Sequence, residues 1–215
     1  CWSPDPKTRP SFEEIVHMIM NNRDFLTELG DVDEKEFSEY VSQLNDKSPL
    51  LYYQLDIQSS NQAEPSSIDV LQIDLTNYDR LSQVVVEGQS ESVFTVKEKM
   101  SGKQYAVKRL NKQTGETQSS HTNRILHDFR MFSDFHHPAI IKQHGISLSD
   151  FDNNPQPIIM LEYLSNGSLQ NIVEQLDQDI SLPSWNNTKL LINLYGIASG
   201  MSYLHSKGIL HRDLK

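Results

Sequence analysis

Three short apolar segments with turn residues between them constrain the fold of this chain most strongly. Residues 81–86, 93–96 and 105–108 are rich in Val, Phe, Tyr and other residues that favour strands. Gly88 and the Ser-Gly pair at 101–102 mark the connections. Connections this short join antiparallel neighbours, because a parallel pair needs a crossover of about a dozen residues. The spacing therefore predicts an antiparallel meander.

A helix and two further strands are predicted after the meander. Residues 122–135 carry apolar side chains at helical spacing. The His-Pro pair at 137–138 ends this pattern, because the residue before a proline disfavours the helical conformation. Residues 140–147 and 158–163 are strand-like, and residues 149–157 form a polar loop between them. The sequence thus predicts an α+β fold class.

A long helix is predicted before the carboxyl-terminal end. Its apolar residues recur at intervals of three and four, which indicates one buried stripe. The stripe consists of Leu190, Leu194, Ile197, Met201 and Leu204. Lys207-Gly208 is predicted to end the helix, because glycine readily adopts the backbone conformation that follows a last helical turn.

The acidic residues are concentrated in the first third of the chain. Residues 1–75 contain 15 acidic and five basic side chains, whereas residues 76–215 contain 14 of each. The formal net charge of −10 therefore lies in the first part. This asymmetry favours two different units, and it disfavours nucleic-acid binding, which requires a basic face.

The single Cys1 has no partner for an internal disulfide, which favours a reducing, cytoplasmic location. No apolar run approaches the roughly 20 residues of a membrane-spanning helix, so no membrane segment is predicted. The chain does not begin with Met, and we interpret it as a fragment of a longer polypeptide.

Residues 29–77 are predicted to form an acidic, partly helical linker. Before them, Ser11 and Glu14 predict a capping box that starts a short amphipathic helix. Residues 31–47 are weakly helical, and we interpret them as a linker helix, with a partner-binding helix as the alternative. Residues 56–69 are polar and Ser-rich, which is typical of a flexible linker.

The order of motifs from residue 78 onward is specific. A Gly-containing hairpin, Ala-Val-Lys at 106–108, a helix, two strands, Leu-Glu-Tyr at 161–163, a long helix and His-Arg-Asp-Leu-Lys at 211–215 follow one another. This order resembles the first half of a eukaryotic protein kinase domain. The resemblance implies a protein kinase-like fold, with an antiparallel β N-lobe, a helix and the start of a truncated helical C-lobe.

The last five residues carry the chemistry. A carboxylate and an ammonium two residues apart suit phosphoryl transfer, because one accepts the hydroxyl proton and the other neutralises the moving phosphoryl group. The resemblance assigns these roles to Asp213 and Lys215, and a Lys at the second position is the serine/threonine-type arrangement. It makes His211 and Arg212 structural. The family's Mg²⁺ ligands would follow Lys215, so no metal site is predicted within this chain.

The resemblance implies that Lys108 binds the phosphates of the nucleotide. Asp128 stands where the family has the Glu that pairs with this Lys, and it is one methylene shorter. The three positions of the Gly-rich loop are Val86, Gly88 and Glu91, so only the middle glycine is present. Glu91 would add a negative charge near the triphosphate.

The resemblance also implies contacts to adenine and ribose. Val93 and Ala106 would pack on the adenine, and the backbone of Glu162 and Leu164 would hydrogen-bond it. Leu161 would gate the back of the site. Ser168 lies where the family often has a ribose-binding carboxylate, and it would contact the ribose. An ordinary edge strand is the alternative for residues 159–164.

Residues 1–12 read Cys-Trp-Ser-Pro-Asp-Pro-Lys-Thr-Arg-Pro-Ser-Phe. This segment resembles the C-terminal lobe of tyrosine-kinase-like and tyrosine kinases just before the last helix, where Arg9 would pair with a Glu of the activation segment. The resemblance implies that residues 1–28 end an upstream kinase domain. Residues 78–215 would then be a second kinase domain, cut off at the catalytic loop.

Two functions are consistent with the sequence. The first is an ATP- and Mg²⁺-dependent serine/threonine protein kinase of tyrosine-kinase-like type, which acts on Ser/Thr-containing proteins in signal transduction and can contact its neighbouring kinase domain. The alternative is a pseudokinase that regulates that domain, which the loss of two glycines and the Asp128 substitution favour. The fragment alone is expected to be inactive and poorly stable, because it lacks the magnesium ligands and most of the C-lobe.

Overall fold

The computed structural model describes most of the chain. The described residues are 4–26, 31–46, 72–81, 86–87, 91–178, 180, 182, 184–212 and 214. They fall into two compact units. The helical unit contains the described residues of 1–59, 137–140 and 168–215, and the sheet unit contains those of 60–136 and 141–167.

Five α-helices occur in the described residues. They are α1 (Phe12–Asn21), α2 (Glu34–Asp46), α3 (Gln118–Ser133), α4 (Leu169–Asp177) and α5 (Asn187–Ser206). Two 3-10 turns cover Pro6–Thr8 and Leu75–Asn77. Helix α3 belongs to the sheet unit and the other four belong to the helical unit. No helix in this part of the chain is long and apolar enough to span a bilayer.

Six described strands form one antiparallel sheet. They are β1 (Tyr78–Arg80), β2 (Val86–Glu87), β3 (Glu91–Glu98), β4 (Gln104–Leu110), β5 (Gln143–Ser147) and β6 (Ile158–Glu162). The order is β1-β3-β4-β6-β5, and β2 pairs with β3. The meander is confirmed for the segments 93–96 and 105–108, which lie inside β3 and β4. Residues 82–85 of the first predicted strand lie outside the described residues.

Alternate side chains of the sheet enter two different cores, as the twofold repeat of a strand requires. One face buries an aromatic and β-branched cluster that includes Phe94 and Val107. The opposite face packs against α3, whose Ile125 lies in one cluster with Ile159 of β6. The α+β class and the protein kinase-like arrangement of sheet and helix are therefore confirmed.

Helix α3 begins four residues before its predicted start, because Thr117 caps it. The Thr117 Oγ1 accepts a hydrogen bond from Ser120 N at 3.1 Å. The preceding Glu116 accepts from Arg124 Nε at 3.0 Å and lies 3.2 Å from His121 Nδ1. Glu116 Oε2 also accepts from Gln113 N at 2.9 Å. The Arg124 hydrogen bond, followed by the one from Gln113, lowers the pKa of Glu116 to about 2.

Helix α1 starts at the predicted capping box. Ser11 N donates to Glu14 Oε2 at 2.7 Å, and Glu14 N donates to Ser11 Oγ at 3.2 Å. The side chains of Ser11 and Glu14 thus each accept a hydrogen bond from a backbone N–H that has no partner within the helix.

Helices α1 and α2 pack on α5 and form the core of the helical unit. Phe37 of α2 meets Tyr195 of α5 edge to face, with ring centroids 5.6 Å apart. At the start of α5, Thr188 Oγ1 accepts from Asp33 N at 2.8 Å, and Lys189 forms an ion pair with Glu36. The acidic segment before residue 47 is therefore helical, as predicted, and its apolar face is buried against the same chain.

The buried face of α5 differs from the predicted stripe. Met201 and Leu204 are buried, but Leu194 and Ile197 are 36% and 37% exposed. The buried α5 residues in the core shared with α1 and α2 are Leu191, Tyr195 and Ala198. The helix is apolar on two adjacent sides, so its periodicity indicates a helix without deciding which side is covered.

Helix α1 packs on α5 within the helical unit. Phe12 of α1 meets His205 at a ring separation of 5.2 Å. The assignment of residues 1–28 to an upstream kinase domain and of residues 29–77 to a linker stays a prediction.

Candidate active site

One face of the sheet brings together three of the predicted ATP-binding residues. Val93 of β3 lies opposite Lys108 of β4. Ala106 of β4 lies opposite Leu161 of β6, and Lys108 lies opposite Ile159. Directly paired residues of neighbouring strands point to the same side of a sheet. Val93, Ala106, Lys108 and Leu161 therefore share the face that packs against α3.

The ammonium of Lys108 is paired with Glu91. The Lys108 Nζ lies 2.5 Å from Glu91 Oε2, and the two side chains are 32% and 39% exposed. Glu91 lies opposite Leu110, two residues beyond Lys108 on β4, so the two side chains are diagonal neighbours on one face. The two residues are in adjacent strands, and this proximity explains the contact.

The predicted partner of Lys108 was Asp128, and the structure gives Glu91 instead. Asp128 lies on α3, where its charge makes a small contribution to the raised pKa of Arg124, after the larger effect of the Glu116 hydrogen bond. The ion pairs among the described residues do not include Lys108 with Asp128. The ion pair of Lys108 with Asp128 stays a prediction.

The Gly-rich loop is described only at its two ends. Val86 pairs with Val93 through the backbone, and Glu91 begins β3. Gly88 lies outside the described residues. Glu91 therefore belongs to a regular strand, where the left-handed backbone conformations open to glycine are not needed.

Residues 159–164, which the resemblance places against the adenine, begin in β6 and include the gating position Leu161. Glu162 N donates to Lys142 O at 2.9 Å, and the Glu162 carboxylate accepts from Lys142 N at 2.7 Å. Since the backbone N–H of Glu162 is used, an adenine contact at Glu162 has to use its carbonyl oxygen. Leu164 lies beyond the strand and is 58% exposed.

Ser168 belongs to the helical unit and caps α4. Its Oγ accepts a hydrogen bond from Asn171 N at 3.3 Å, which satisfies one of the first backbone donors of that helix. This structural role accounts for a serine at this position. Its predicted contact with a ribose stays a prediction.

The carboxyl-terminal motif follows a tight helix end. Gly208, with φ of +74°, donates from its N–H to His205 O at 2.9 Å, and Ile209 N donates to Leu204 O at 3.0 Å. His211 and Arg212 are exposed, and Arg212 has a φ of +63°, so the chain turns sharply there. Asp213 and Lys215, the predicted catalytic residues, lie outside the described residues.

The His-Pro pair after α3 has a structural role. His137 Nδ1 accepts from Ala139 N at 3.1 Å, and His137 Nε2 lies 3.1 Å from Ser199 Oγ. Burial lowers the pKa of His137, which favours the neutral ring that these contacts require. Both ring nitrogens of His137 are therefore used within the protein.

Two other features of the described residues bear on ligand binding. No group of three or more His, Cys, Asp or Glu side chains there is placed to hold a metal ion. A cavity of about 570 Å³ is lined by residues 72–76 and by Ser147, Ser149, Asp150, Phe151 and Asn153. Ile73 and Phe151 of that lining pack on the Phe94 face of the sheet, so the cavity is separate from the Lys108 face. Arg9 is exposed after the first 3-10 turn.

Comparison with known proteins identifies the family. The family model of the protein kinase domain matches residues 80–215, which is more than half of the chain. This chain belongs to the protein kinase family. The kinase match covers β3, β4, α3 and the carboxyl-terminal motif, and kinase domains of this family use ATP and Mg²⁺ and act on proteins.

Several curated kinases are similar to this chain in sequence. A serine/threonine-protein kinase of Drosophila melanogaster is 30% identical over 148 residues, which are 69% of this chain and 18% of that protein. Dual specificity testis-specific protein kinase 2 of Mus musculus is 33% identical over 141 residues, which are 65% of this chain and 22% of that protein. A tyrosine-protein kinase receptor of Caenorhabditis elegans is 38% identical over 85 residues, which are 40% of this chain and 7% of that protein. The chain spans less than a quarter of the length of these relatives.

Proposed function

We propose that residues 78–215 are the nucleotide-binding half of an active serine/threonine protein kinase domain. The observation that carries the proposal is the shared sheet face of Val93, Ala106 and Lys108, in a chain that belongs to the kinase family. Small apolar side chains on this face suit a flat adenine ring, and the ammonium of Lys108 suits a phosphate chain.

The chemistry is assigned to the carboxyl-terminal motif. Asp213 accepts the proton of a Ser or Thr hydroxyl as that oxygen attacks the terminal phosphoryl group of ATP. Lys215 offsets the negative charge on the phosphoryl oxygens during transfer, and Lys108 holds the phosphate chain. When bound, Mg²⁺ neutralises phosphate charge, and its ligands are proposed to follow Lys215 in the whole protein.

The proposed acceptor specificity rests on Lys215. A Lys two residues after the catalytic Asp is the serine/threonine-type arrangement of the family. The relative from Drosophila melanogaster carries the name of a serine/threonine kinase, which supports the proposal, while the mouse relative carries that of a dual-specificity kinase. The same proposal includes membership of the tyrosine-kinase-like group and a cytoplasmic location. It also includes a tandem arrangement, in which residues 1–28 end a first kinase domain that contacts this one.

A pseudokinase is the second candidate, and the Glu91–Lys108 ion pair favours it. A carboxylate on the phosphate-binding cation lowers the attraction of this site for a nucleotide. In this case residues 78–215 regulate a neighbouring kinase domain through binding and transfer no phosphate.

Phosphate transfer to Ser/Thr- and Tyr-containing peptides tests these candidates. The full-length protein is compared with its Lys108→Met and Asp213→Asn variants, and Lys112→Met serves as the control because Lys112 is an exposed residue beyond β4. We expect transfer to Ser/Thr peptides that both site variants abolish and the control retains. Equal transfer in all four proteins would show that this domain contributes no catalysis and would favour the pseudokinase.

A further inference from the structure

The carboxylate of Glu91 contacts the ammonium of Lys108 directly. It is the first residue of β3, and its side chain shares the face of Val93 and Lys108. The Glu91 Oε2 lies 2.5 Å from the Lys108 Nζ. At this separation the carboxylate neutralises the positive charge that a phosphate group would otherwise meet.

The carboxylate of this ion pair is more open to solvent than that of the Glu116–Arg124 pair, which anchors α3. The side chains of Lys108 and Glu91 are 32% and 39% exposed. In the α3 anchor, by contrast, the Glu116 side chain that pairs with Arg124 is only 8% exposed. Exposed pairs contribute little net stability and are screened by salt, so an arriving polyanion can exchange with the carboxylate.

We propose that Glu91 is a specificity-determining residue of the nucleotide site, whose carboxylate competes with the phosphate chain for Lys108. This inference rests on the function proposed above for Lys108. A bound triphosphate has to displace Glu91 and then remain near a like charge, so Glu91 weakens the binding of ATP. Adenosine has no phosphate, and its binding is independent of Glu91.

A different role for Glu91 predicts the opposite sign. If the carboxylate served to hold Lys108 in a productive position for phosphate, its removal would weaken ATP binding. If it competes, its removal strengthens ATP binding. The direction of the change in Kd therefore separates a competing residue from a positioning residue.

The first measurement is calorimetric binding of ATP and adenosine to the full chain and to Glu91→Gln, which keeps the size of the side chain and removes its charge. We expect ATP to bind about three- to tenfold more tightly to the variant, which matches the loss of an exposed ion pair and a like charge. The gain shrinks as salt is added. Adenosine affinity stays unchanged. The control is Glu98→Gln, a change on the same strand but on its other face, where Glu98 hydrogen-bonds Ser101.

The second measurement needs no catalysis. An amine-reactive reagent labels Lys108, the extent is read by mass spectrometry, and tripolyphosphate is added as a protecting anion. We expect faster labelling in Glu91→Gln and protection at lower tripolyphosphate concentration than in the wild type. Lys112 is the internal reference because it is exposed in both proteins.

The outcomes separate this inference from the kinase proposal. Unchanged or weaker ATP binding in Glu91→Gln, or protection by tripolyphosphate that is the same in both proteins, overturns the competition. Stronger tripolyphosphate protection in the variant, together with adenosine binding to neither protein, supports the competition and rejects the nucleotide site.

Discussion

Gly196 allows α2 to pack directly on α5. A Cβ atom at this position would lie 2.6 Å from the Tyr40 hydroxyl oxygen, which is far inside normal contact distance. The Tyr40 ring also meets Tyr195 edge to face at 6.5 Å, and burial raises the pKa of the Tyr40 hydroxyl. The absence of a side chain at Gly196 is thus a packing requirement and does not follow from backbone conformation.

Gly196→Ala is predicted to destabilise the protein by about 1 kcal/mol, because overpacking outweighs the gain in helix propensity. Tyr40→Phe removes the atom that the new methyl group meets. In that background the same substitution is predicted to be neutral or stabilising. Urea unfolding of the four proteins measures both effects, and an equal cost in the two backgrounds would show that Tyr40 is not the obstacle.

Lys108 is a residue whose role in the candidate site was predicted from the sequence, whereas its contact with Glu91 was not. Its place in an Ala-Val-Lys strand identifies it as the phosphate-binding cation of the kinase resemblance. Its contact with Glu91 was not predicted, because the family pattern directs attention to Asp128 on α3. The strand alternation did contain the signal, since Glu91 and Val93 have the same parity, and the register that places Val93 opposite Lys108 also brings Glu91 onto its face.

At the scale of elements, α5 organises the helical unit. Its start is fixed by Asn186, whose side chain accepts from Lys189 N, and its end by Gly208. Between these points Leu191, Tyr195 and Ala198 receive α1 and α2. Part of the α5 surface is thus covered by α1 and α2, and the low stability expected for this chain stays a prediction.

Phe37→Ala tests the contact of α2 with α5. Phe37 is 2% exposed and loses both its burial and its edge-to-face contact with Tyr195. The expected cost is about 3–5 kcal/mol, with faster amide exchange along α5. Phe25→Ala is the matched control, because Phe25 is 44% exposed. Equal losses in the two variants would contradict the packing described here.

The ion pair of Glu116 with Arg124, which anchors the start of α3, should make the free energy of unfolding decrease at acidic pH. The folded pKa of Glu116 is about 2, below its ordinary value of 4.5, chiefly because of the Arg124 hydrogen bond. The contribution of ionised Glu116 to the free energy of unfolding is therefore complete above pH 4.5 and is lost as the pH falls towards about 2.

Glu116→Gln should be less stable than the wild type at neutral pH, and the difference should shrink as the pH falls through that window. Urea unfolding over a pH series measures this. Glu98→Gln is the control, since Glu98 bonds Ser101 rather than an arginine. A difference between wild type and Glu116→Gln that is constant with pH would rule out the ion pair as its cause.

At the scale of the whole molecule, the sheet unit was largely predictable, whereas in the helical unit the helices were predictable and their packing was not. Strand segments inside β3, β4, β5 and β6 follow from alternation and short connections, which are local properties. The covered side of α5 depends on α1 and α2, which lie far away in sequence, and no local pattern specifies that contact. For the candidate site, the shared face of Val93, Ala106 and Lys108 follows from strand register, whereas the Glu91 contact depends on side-chain geometry.

The binding of ATP by the full chain tests the central claim most directly, namely that the Lys108 face of the sheet holds a nucleotide. Calorimetry should show that Lys108→Met weakens ATP binding by about tenfold or more, the usual effect of losing a hydrogen bond to a charged group. Lys112→Met, which removes an exposed charge beyond β4, should leave the Kd within about twofold. The same Kd in the wild type and both variants would contradict the account.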